Sequence, residues 1–188
     1  NIVPWQIACE KTGAILRVIK VLDDGTLDMD HFESLLSEKT KLLAITAVSN
    51  VLGTINPLKK MIDAAHAAGA IVFVDAAQMA PHMPIDVQAL ECEFLTISGH
   101  KAYGPSGASL VYIRRDWCDR LPPYQSGGAM IHEVSFEKTT YAKAPLKFEA
   151  GTPAIAEIIG MGAAFDYLMN IGMQNVFLHE QALTDYTF

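Results

Sequence analysis

Apolar residues form short unbroken runs along this chain, and these runs alternate with helical patterns. The runs are rich in Val, Ile, Leu and Phe and cover residues 42–48, 70–74, 94–97 and 108–114. Runs of this kind are typical of strands that are covered on both faces, as in a parallel sheet. A further β-rich run, residues 14–21, is also predicted to be a strand.

Helices are predicted between these runs from capping residues and from the spacing of apolar side chains. Asp28 caps a helix over residues 29–37, and Pro57 starts another that stops at Gly69. The remaining predicted helices cover residues 3–11, 154–169 and 173–188. Residues 121–151 are polar, Gly-rich and aromatic, which predicts long irregular connections. The alternation of elements predicts a three-layer α/β/α fold with a mostly parallel sheet.

Polar side chains follow three consecutive apolar runs, at the point where each predicted strand ends. Asn50 follows the first run, Asp75 and Gln78 follow the second, and the string Ser98-Gly99-His100-Lys101 follows the third. Taken singly, each has an ordinary explanation as a strand-end cap, a turn residue or a solvated surface group. Because ligands bind outside the carboxyl ends of parallel strands, their shared position predicts a functional site at this edge of the sheet.

The residue types at this edge could together bind the different chemical groups of one cofactor. A lysine beside apolar walls loses its charge more easily and becomes a nucleophile for a carbonyl group. A buried Asp75 needs a cationic partner, which a protonated pyridine nitrogen would supply. Phosphate and ring-oxygen contacts would fall to the remaining polar side chains, Ser98, His100, Asn50 and Gln78. These are the requirements of pyridoxal 5'-phosphate, whose protonated ring acts as an electron sink.

Composition narrows the classes of function. The 188 residues are 51% hydrophobic and 19% charged, which excludes a disordered chain. A net charge of −7 argues against nucleic-acid binding, and no apolar run approaches the ~20 residues of a membrane span. Cys9, Cys92 and Cys118 form no CxxC pair, so we expect no metal site and no disulfide framework. They are interpreted as reduced thiols of a cytoplasmic protein.

Four strings of residues resemble the cysteine desulfurases, within the branch of the class V aminotransferase superfamily that includes selenocysteine lyase-like and sulfur-mobilisation enzymes. They are Ser-Asn-Val-Leu-Gly at residues 49–53, Val-Asp-Ala-Ala-Gln at 74–78, Ser-Gly-His-Lys-Ala-Tyr-Gly-Pro at 98–105 and Phe-Glu-Ala-Gly-Thr-Pro at 148–153. The resemblance runs in order along the whole chain. It implies the large domain of a fold type I pyridoxal-phosphate enzyme.

The resemblance also implies a role for each residue at the sheet edge. Lys101 resembles the Schiff-base lysine that moves the substrate Cα proton, and Asp75 resembles the partner of the pyridinium nitrogen. Gln78 and Asn50 resemble the residues near the phenolic oxygen of the ring. Ser98, His100 and Thr152 resemble phosphate ligands, of which Thr152 reaches the cofactor of the partner subunit in a homodimer. The resemblance also places Gly127 and Gly128 in a segment that approaches the neighbouring active site.

The implied activity is conversion of L-cysteine to L-alanine, with sulfur passed to a protein thiol as a persulfide for iron–sulfur cluster assembly. The alternatives are a selenocysteine lyase, another class V activity, or a domain that is catalytically inactive in isolation. The position of the nucleophilic Cys would distinguish the desulfurase from the other class V activities. None of the three cysteines in this chain lies at that position.

Both ends of the sequence lead us to expect an internal part of a longer protein. Residues 1–153 are predicted to be the central part of the cofactor-binding large domain, and residues 154–188 a helical segment leading to a C-terminal small domain. Ala76 and Ala108-Ser109 depart from common family strings, which carry Gly there. Because these changes remove no functional group, we expect them to alter packing only.

Overall fold

The computed structural model describes all 188 residues and is built on a four-stranded sheet in the order β1-β2-β3-β4. Its strands are β1 (Leu42–Thr46), β2 (Ile71–Asp75), β3 (Phe94–Ser98) and β4 (Ser109–Ile113). The first three are parallel, and β4 is antiparallel to β3. The predicted mostly parallel sheet is therefore confirmed, with all four strands inside or next to the predicted runs.

Seven helices surround the sheet. They are α1 (Val3–Thr12), α2 (Met29–Leu35), α3 (Leu58–Ala67), α4 (Val87–Leu90), α5 (Arg115–Cys118), α6 (Ile155–Ile171) and α7 (Met173–Thr187). The five helices predicted from the sequence are confirmed with shifts of a few residues at their ends. Asp28 caps α2 as predicted, because its carboxylate accepts a hydrogen bond from the His31 N–H at 2.8 Å.

One face of the sheet carries the main hydrophobic core. Phe32 of α2 and Met61 and Ile62 of α3 are almost completely buried against Val72 and Val74 of β2. Burial of each such side chain contributes roughly 1.5–3 kcal/mol. The core therefore fixes the strands from the α2–α3 side and leaves their other face to a second layer.

The second face of the sheet is covered by aromatic rings. The Trp5 ring of α1 meets Phe73 edge-on at 5.3 Å between centroids, and Phe73 lies 6.4 Å from Phe94 of β3. Phe94 in turn meets Trp117 of α5 at 5.7 Å. Because side chains alternate along a strand, Asp75 lies on the same face as Phe73. This second layer agrees with the predicted α/β/α arrangement.

Two sequence expectations were wrong. Residues 14–21 form no strand, and Ile15 and Val18 are exposed. Strand-forming residues need a neighbouring strand and a surface to pack on, and only an isolated bridge, Val21 to Leu27, forms nearby. Conversely, the segment expected to be irregular contains an antiparallel hairpin of β5 (Ile131–Val134) and β6 (Thr139–Tyr141). Every residue of β5 is exposed, so no apolar alternation marks it in the sequence.

Candidate active site

The sheet register brings the strand-end residues to one edge. Asp75, the last residue of β2, pairs with Thr46 at the end of β1 and with Thr96 of β3. Ser98 ends β3, and a 3₁₀ turn, Gly99–Lys101, follows it directly. Because the three strands are parallel, Asp75 and the Ser98–Lys101 turn emerge at the same edge of the sheet, as predicted.

Two donors hold the Asp75 carboxylate. Its Oδ1 accepts from the backbone N–H of Ala77 at 3.0 Å, and its Oδ2 accepts from the side-chain amide of Asn1 at 2.6 Å. Asn1 Oδ1 accepts in turn from Trp5 Nε1 at 3.0 Å. A carboxylate has about four acceptor positions, so Asp75 keeps room for a cationic N–H. The sequence patterns did not mark Asn1, since its partner lies 74 residues away.

The turn after β3 is held by its close packing. Gly99 is buried, and its N–H donates to the Ala108 carbonyl at 3.1 Å, while the Gly104 N–H donates to the Gly99 carbonyl at 2.9 Å. A Cβ on Gly99 would lie 2.6 Å from the Ala108 oxygen and 2.8 Å from Met161 Sδ. Only glycine fits there, so the start of β4 and helix α6 together fix the direction of the chain into Lys101.

The chemically active groups of this turn are free of protein partners. Lys101 is half-buried, and its Nζ forms no hydrogen bond or ion pair. Ser98 Oγ and the exposed His100 ring also make no side-chain hydrogen bond. An unpaired lysine, a hydroxyl and an imidazole next to a carboxylate with free acceptor positions form a donor set that fits pyridoxal phosphate.

Asn50 and Gln78 line one cleft of about 340 Å³ at the same edge. Its opposite wall is α7, which contributes Phe177, Glu180 and Thr184. His82 also lines the cleft, and its Nδ1 lies 2.9 Å from Glu180 Oε1 on the α7 side. The structure thus brings the two predicted amides together. Sequence reasoning missed His82 and Glu180, although His82 follows Gln78 within the same connection.

Thr152 lies apart from these groups, on the loop that precedes α6. It is exposed and forms no side-chain hydrogen bond. The Gly151 N–H donates to the Gly128 carbonyl at 2.9 Å, and the ideal Cβ position of Gly127 is 3.2 Å from the Gly151 nitrogen. The two segments that the resemblance assigns to the neighbouring subunit therefore lie side by side.

The cysteines lie outside this edge. All three are free thiols, and Cys92 is completely buried just before β3, at the opposite end of that strand from Ser98. Burial raises the pKa of the Cys92 thiol to about 11. No group of His, Cys, Asp and Glu side chains has an arrangement that could hold a metal ion. No helix in the structure combines the length and the hydropathy that a membrane span requires.

Known proteins match the chain along its length. A probable cysteine desulfurase of Streptomyces coelicolor is 49% identical over 186 residues, which are 99% of this chain and 44% of that protein. A cysteine desulfurase of Escherichia coli strain K12 / DH10B is 52% identical over 187 residues, 99% of this chain and 46% of that protein. The chain thus spans less than half the length of these relatives.

A solved structure also has this fold. The apo structure of a cysteine desulfurase from Thermococcus onnurineus NA1 superposes with a TM-score of 0.94 at 37% identity, covering 99% of this chain and 46% of that one. The α/β architecture is thus that of fold type I pyridoxal-phosphate enzymes. The Aminotransferase class-V family profile matches residues 1–188. The site geometry, the fold and this match agree: the chain belongs to the class-V aminotransferase family.

Proposed function

We propose that the protein containing this chain is a pyridoxal-phosphate-dependent cysteine desulfurase that converts L-cysteine to L-alanine. The observation that carries the proposal is the unpaired, half-buried Lys101 in the turn after β3, which lies next to the strand that presents Asp75. Relatives that are about half identical over 99% of the chain are named cysteine desulfurases, which supports the same assignment.

Each polar group at the sheet edge has a separate task in this proposal. Asp75 pairs with the ring nitrogen, while Ser98 and His100 hold the phosphate. Asn50 and Gln78 contact the phenolic oxygen, and Asn50 also meets the substrate carboxylate. When bound, pyridoxal phosphate supplies an electron sink for charge that develops at the substrate Cα. Lys101 holds the cofactor through its amine and then moves the Cα proton.

Sulfur transfer completes the proposed reaction. The Cβ–S bond of cysteine breaks, the sulfur joins an acceptor thiolate as a persulfide, and Cβ gains a proton to give alanine. Because none of the three cysteines lies at the sheet edge, the acceptor thiol comes from elsewhere in the parent protein. The persulfide sulfur is then delivered to a sulfur-acceptor protein for iron–sulfur cluster assembly.

The assembly and domain organisation belong to the same proposal. The parent is a homodimer in which Thr152 contacts the phosphate in the partner subunit. Residues 1–153 form the central part of the cofactor-binding domain, and residues 154–188 lead to a C-terminal small domain. Three free thiols support a cytoplasmic setting, where cysteines stay reduced.

The test uses the full-length parent protein and the substitution Lys101→Ala. We expect the visible absorption band of the lysine-held cofactor to disappear and alanine release from cysteine to fall by at least ~10³-fold. Lys39→Ala, which changes an exposed lysine in the connection between α2 and β1, is the matched control and should leave both unchanged. A band that survives Lys101→Ala contradicts the assignment.

The same assay separates the substrate alternatives. Wild-type protein is given L-cysteine, L-selenocysteine or L-cysteine sulfinate, and alanine is measured in each case. Turnover of cysteine with persulfide formation supports the desulfurase. Turnover of selenocysteine alone would assign a selenocysteine lyase on the same scaffold, and turnover of none would contradict both activities.

A further inference from the structure

We propose that Asn1 and Trp5 form a positioning relay that fixes the orientation of the Asp75 carboxylate toward the cofactor ring. This inference rests on the proposed function, because it takes Asp75 as the partner of the ring nitrogen. Asn1 and Trp5 are positioning residues, since they act through Asp75.

The first step of the argument is the direction of the hydrogen bonds. Trp5 Nε1 is only a donor, so the Asn1 atom facing it at 3.0 Å must be the amide oxygen. The Asn1 nitrogen is then left to face Asp75 Oδ2, at 2.6 Å. Trp5, which can only donate, and the accepting Asp75 carboxylate therefore require the same orientation of the Asn1 amide. Without the indole N–H, the amide would keep its bond to Asp75 but lose the second bond that holds it in place.

The second step is the anchoring of the indole. The Trp5 ring is half-buried and packs edge-on against Phe73, with 5.3 Å between ring centroids. Phe73 lies on β2 two residues before Asp75, and both side chains point to the same face. Both ends of the relay therefore contact β2, Trp5 at Phe73 and Asn1 at Asp75. These two contacts hold the start of α1 in a fixed position relative to the Asp75 carboxylate.

The third step is what this does for Asp75. The Asn1 amide and the Ala77 N–H occupy one acceptor position on each carboxylate oxygen. Rotation of the carboxylate about χ2 would break both bonds, so the remaining acceptor positions face a fixed direction. Both donors use Asp75 as an acceptor, which is the same role that it has toward a protonated ring nitrogen.

The matched pair of variants is Trp5→Phe and Trp117→Phe in the full-length holoenzyme. Both indoles pack on a phenylalanine of the sheet, at 5.3 Å and 5.7 Å, but the Trp117 Nε1 is buried without any partner. Each substitution keeps a six-membered ring and removes one N–H. Only the Trp5 change removes a bond of the relay.

Three readouts report on the relay. They are the cofactor dissociation constant, the ¹⁵N chemical shift of the ring nitrogen in ¹⁵N-labelled cofactor, and the separate values of kcat and KM. For Trp5→Phe we expect an affinity loss of about 3–10-fold, a shift toward the unprotonated ring nitrogen, and a lower kcat with little change in KM. Trp117→Phe should match the wild type in all three.

Asn1→Leu and Asn1→Asp extend the test. Asn1→Leu removes the donor and should weaken cofactor binding by about 10-fold. Asn1→Asp places a second carboxylate against Asp75 and should weaken it further, with the larger change in ¹⁵N shift. Thermal unfolding of the cofactor-free protein separates these effects from a loss of fold. If either Asn1 variant unfolds, Trp5→Phe still decides the outcome.

Asp75→Asn distinguishes the two levels of the proposal. An Asp75→Asn protein with wild-type cofactor affinity and ¹⁵N shift would overturn the role of Asp75 and the relay with it. If Asp75→Asn changes both readouts while Trp5→Phe equals Trp117→Phe, the relay alone is overturned. Changes in both Asp75→Asn and Trp5→Phe, with Trp117→Phe silent, support the relay.

Discussion

Glu93 is the most deeply buried charged residue, with 3% of its surface exposed, and it joins three elements away from the candidate site. Its Oε2 accepts from the Val72 N–H at 2.7 Å, and its Oε1 lies 2.6 Å from Arg114 Nη1. His66 Nε2 of α3 approaches the same carboxylate at 3.2 Å. These groups lie at the amino ends of β2 and β3, opposite Asp75. The buried ion pairs of Glu93 and the candidate active site therefore lie at opposite ends of the sheet.

Glu93→Gln should lower the free energy of unfolding by about 2–3 kcal/mol, because it removes the charge of a buried carboxylate that accepts from the Val72 N–H and pairs with Arg114. Arg114 itself is 40% exposed and keeps its pair with Asp116. Glu91→Gln is the matched control two residues away. The Glu91 side chain is 63% exposed and pairs with Lys59, so its loss should cost less than about 1 kcal/mol. Denaturant unfolding of the cofactor-free, full-length protein measures both. Equal effects of the two substitutions would show that burial of Glu93 contributes nothing.

Cys92 makes the stability depend on alkaline pH. Burial raises the pKa of its thiol to about 11 from an ordinary value of 9.0. The folded state therefore favours the neutral thiol, and this contribution is complete below pH ~9 and is lost as the pH rises toward ~11. The stability advantage of the wild type over Cys92→Ala should shrink by roughly 2–3 kcal/mol across that range. Unfolding free energies measured at several pH values test this, and a constant difference would contradict it.

At the scale of single elements, the turn after β3 depends on Gly99. Gly99→Ala places a Cβ 2.6 Å from the Ala108 carbonyl oxygen, which β4 holds in place. We expect a loss of about 1–3 kcal/mol in stability and weaker cofactor binding, since the strain displaces Ser98 and Lys101. Gly162→Ala on α6 is the control: nothing lies within 4 Å of its Cβ position. That helix substitution should stabilise the protein by about 0.5–1 kcal/mol.

Denaturant unfolding and cofactor titration of both glycine variants check these expectations. Tight cofactor binding by Gly99→Ala would show that β4 and α6 do not set the position of the turn. Destabilisation by Gly162→Ala would contradict the open space that the structure has around the Cβ position of Gly162.

The elements predicted correctly from the sequence are those in which the order of apolar and polar residues reflects which faces are buried. β1 and β2 lie between two covered faces, so their apolar runs mark them, and the polar residue after each run marks the site edge. Residues 14–21 carry strand-forming side chains without a partner strand, and local propensity does not reveal that lack. The β5–β6 hairpin was missed for the opposite reason. Backbone pairing between its two strands forms it, although every residue of β5 is exposed and no burial pattern marks that strand.

The site shows the same limit at longer range. Asp75, Ser98 and Lys101 were predictable because each lies at the end of a strand or in the turn that follows it. Asn1 and the His82–Glu180 pair depend on contacts across 74 and 98 residues of sequence. Only the packing of α1 and α7 against the sheet edge brings these groups to the site, and neither helix has a sequence pattern that specifies its neighbour.

At the scale of the whole molecule, much apolar surface is left uncovered. On α6, Ile155, Ile158 and Ile159 are 58%, 45% and 68% exposed, at spacings that place them on one face of the helix. Phe136 at the tip of the β5–β6 hairpin is fully exposed. The chain also spans less than half the length of its relatives. Exposed apolar faces of this kind mark contact surfaces, and in the longer protein they would be covered by its further residues or by a second subunit.

The proposed exchange of Thr152 between subunits makes a prediction that only a dimer can fulfil. Full-length Lys101→Ala and Thr152→Val subunits, carrying different affinity tags, are mixed and the heterodimers are isolated. If Thr152 serves the neighbouring site, the Thr152→Val subunit keeps its own Lys101 and receives an intact threonine from its partner. One site per heterodimer is then complete, whereas the other carries both changes.

We therefore expect the heterodimer to bind one cofactor per dimer with wild-type affinity and to recover about half of the wild-type turnover per dimer. Thr152→Val homodimers should bind cofactor about 3–10-fold more weakly at both sites, because one hydrogen bond to the phosphate is lost. If Thr152 acted within its own subunit, no heterodimer site would be complete and the wild-type affinity would not return.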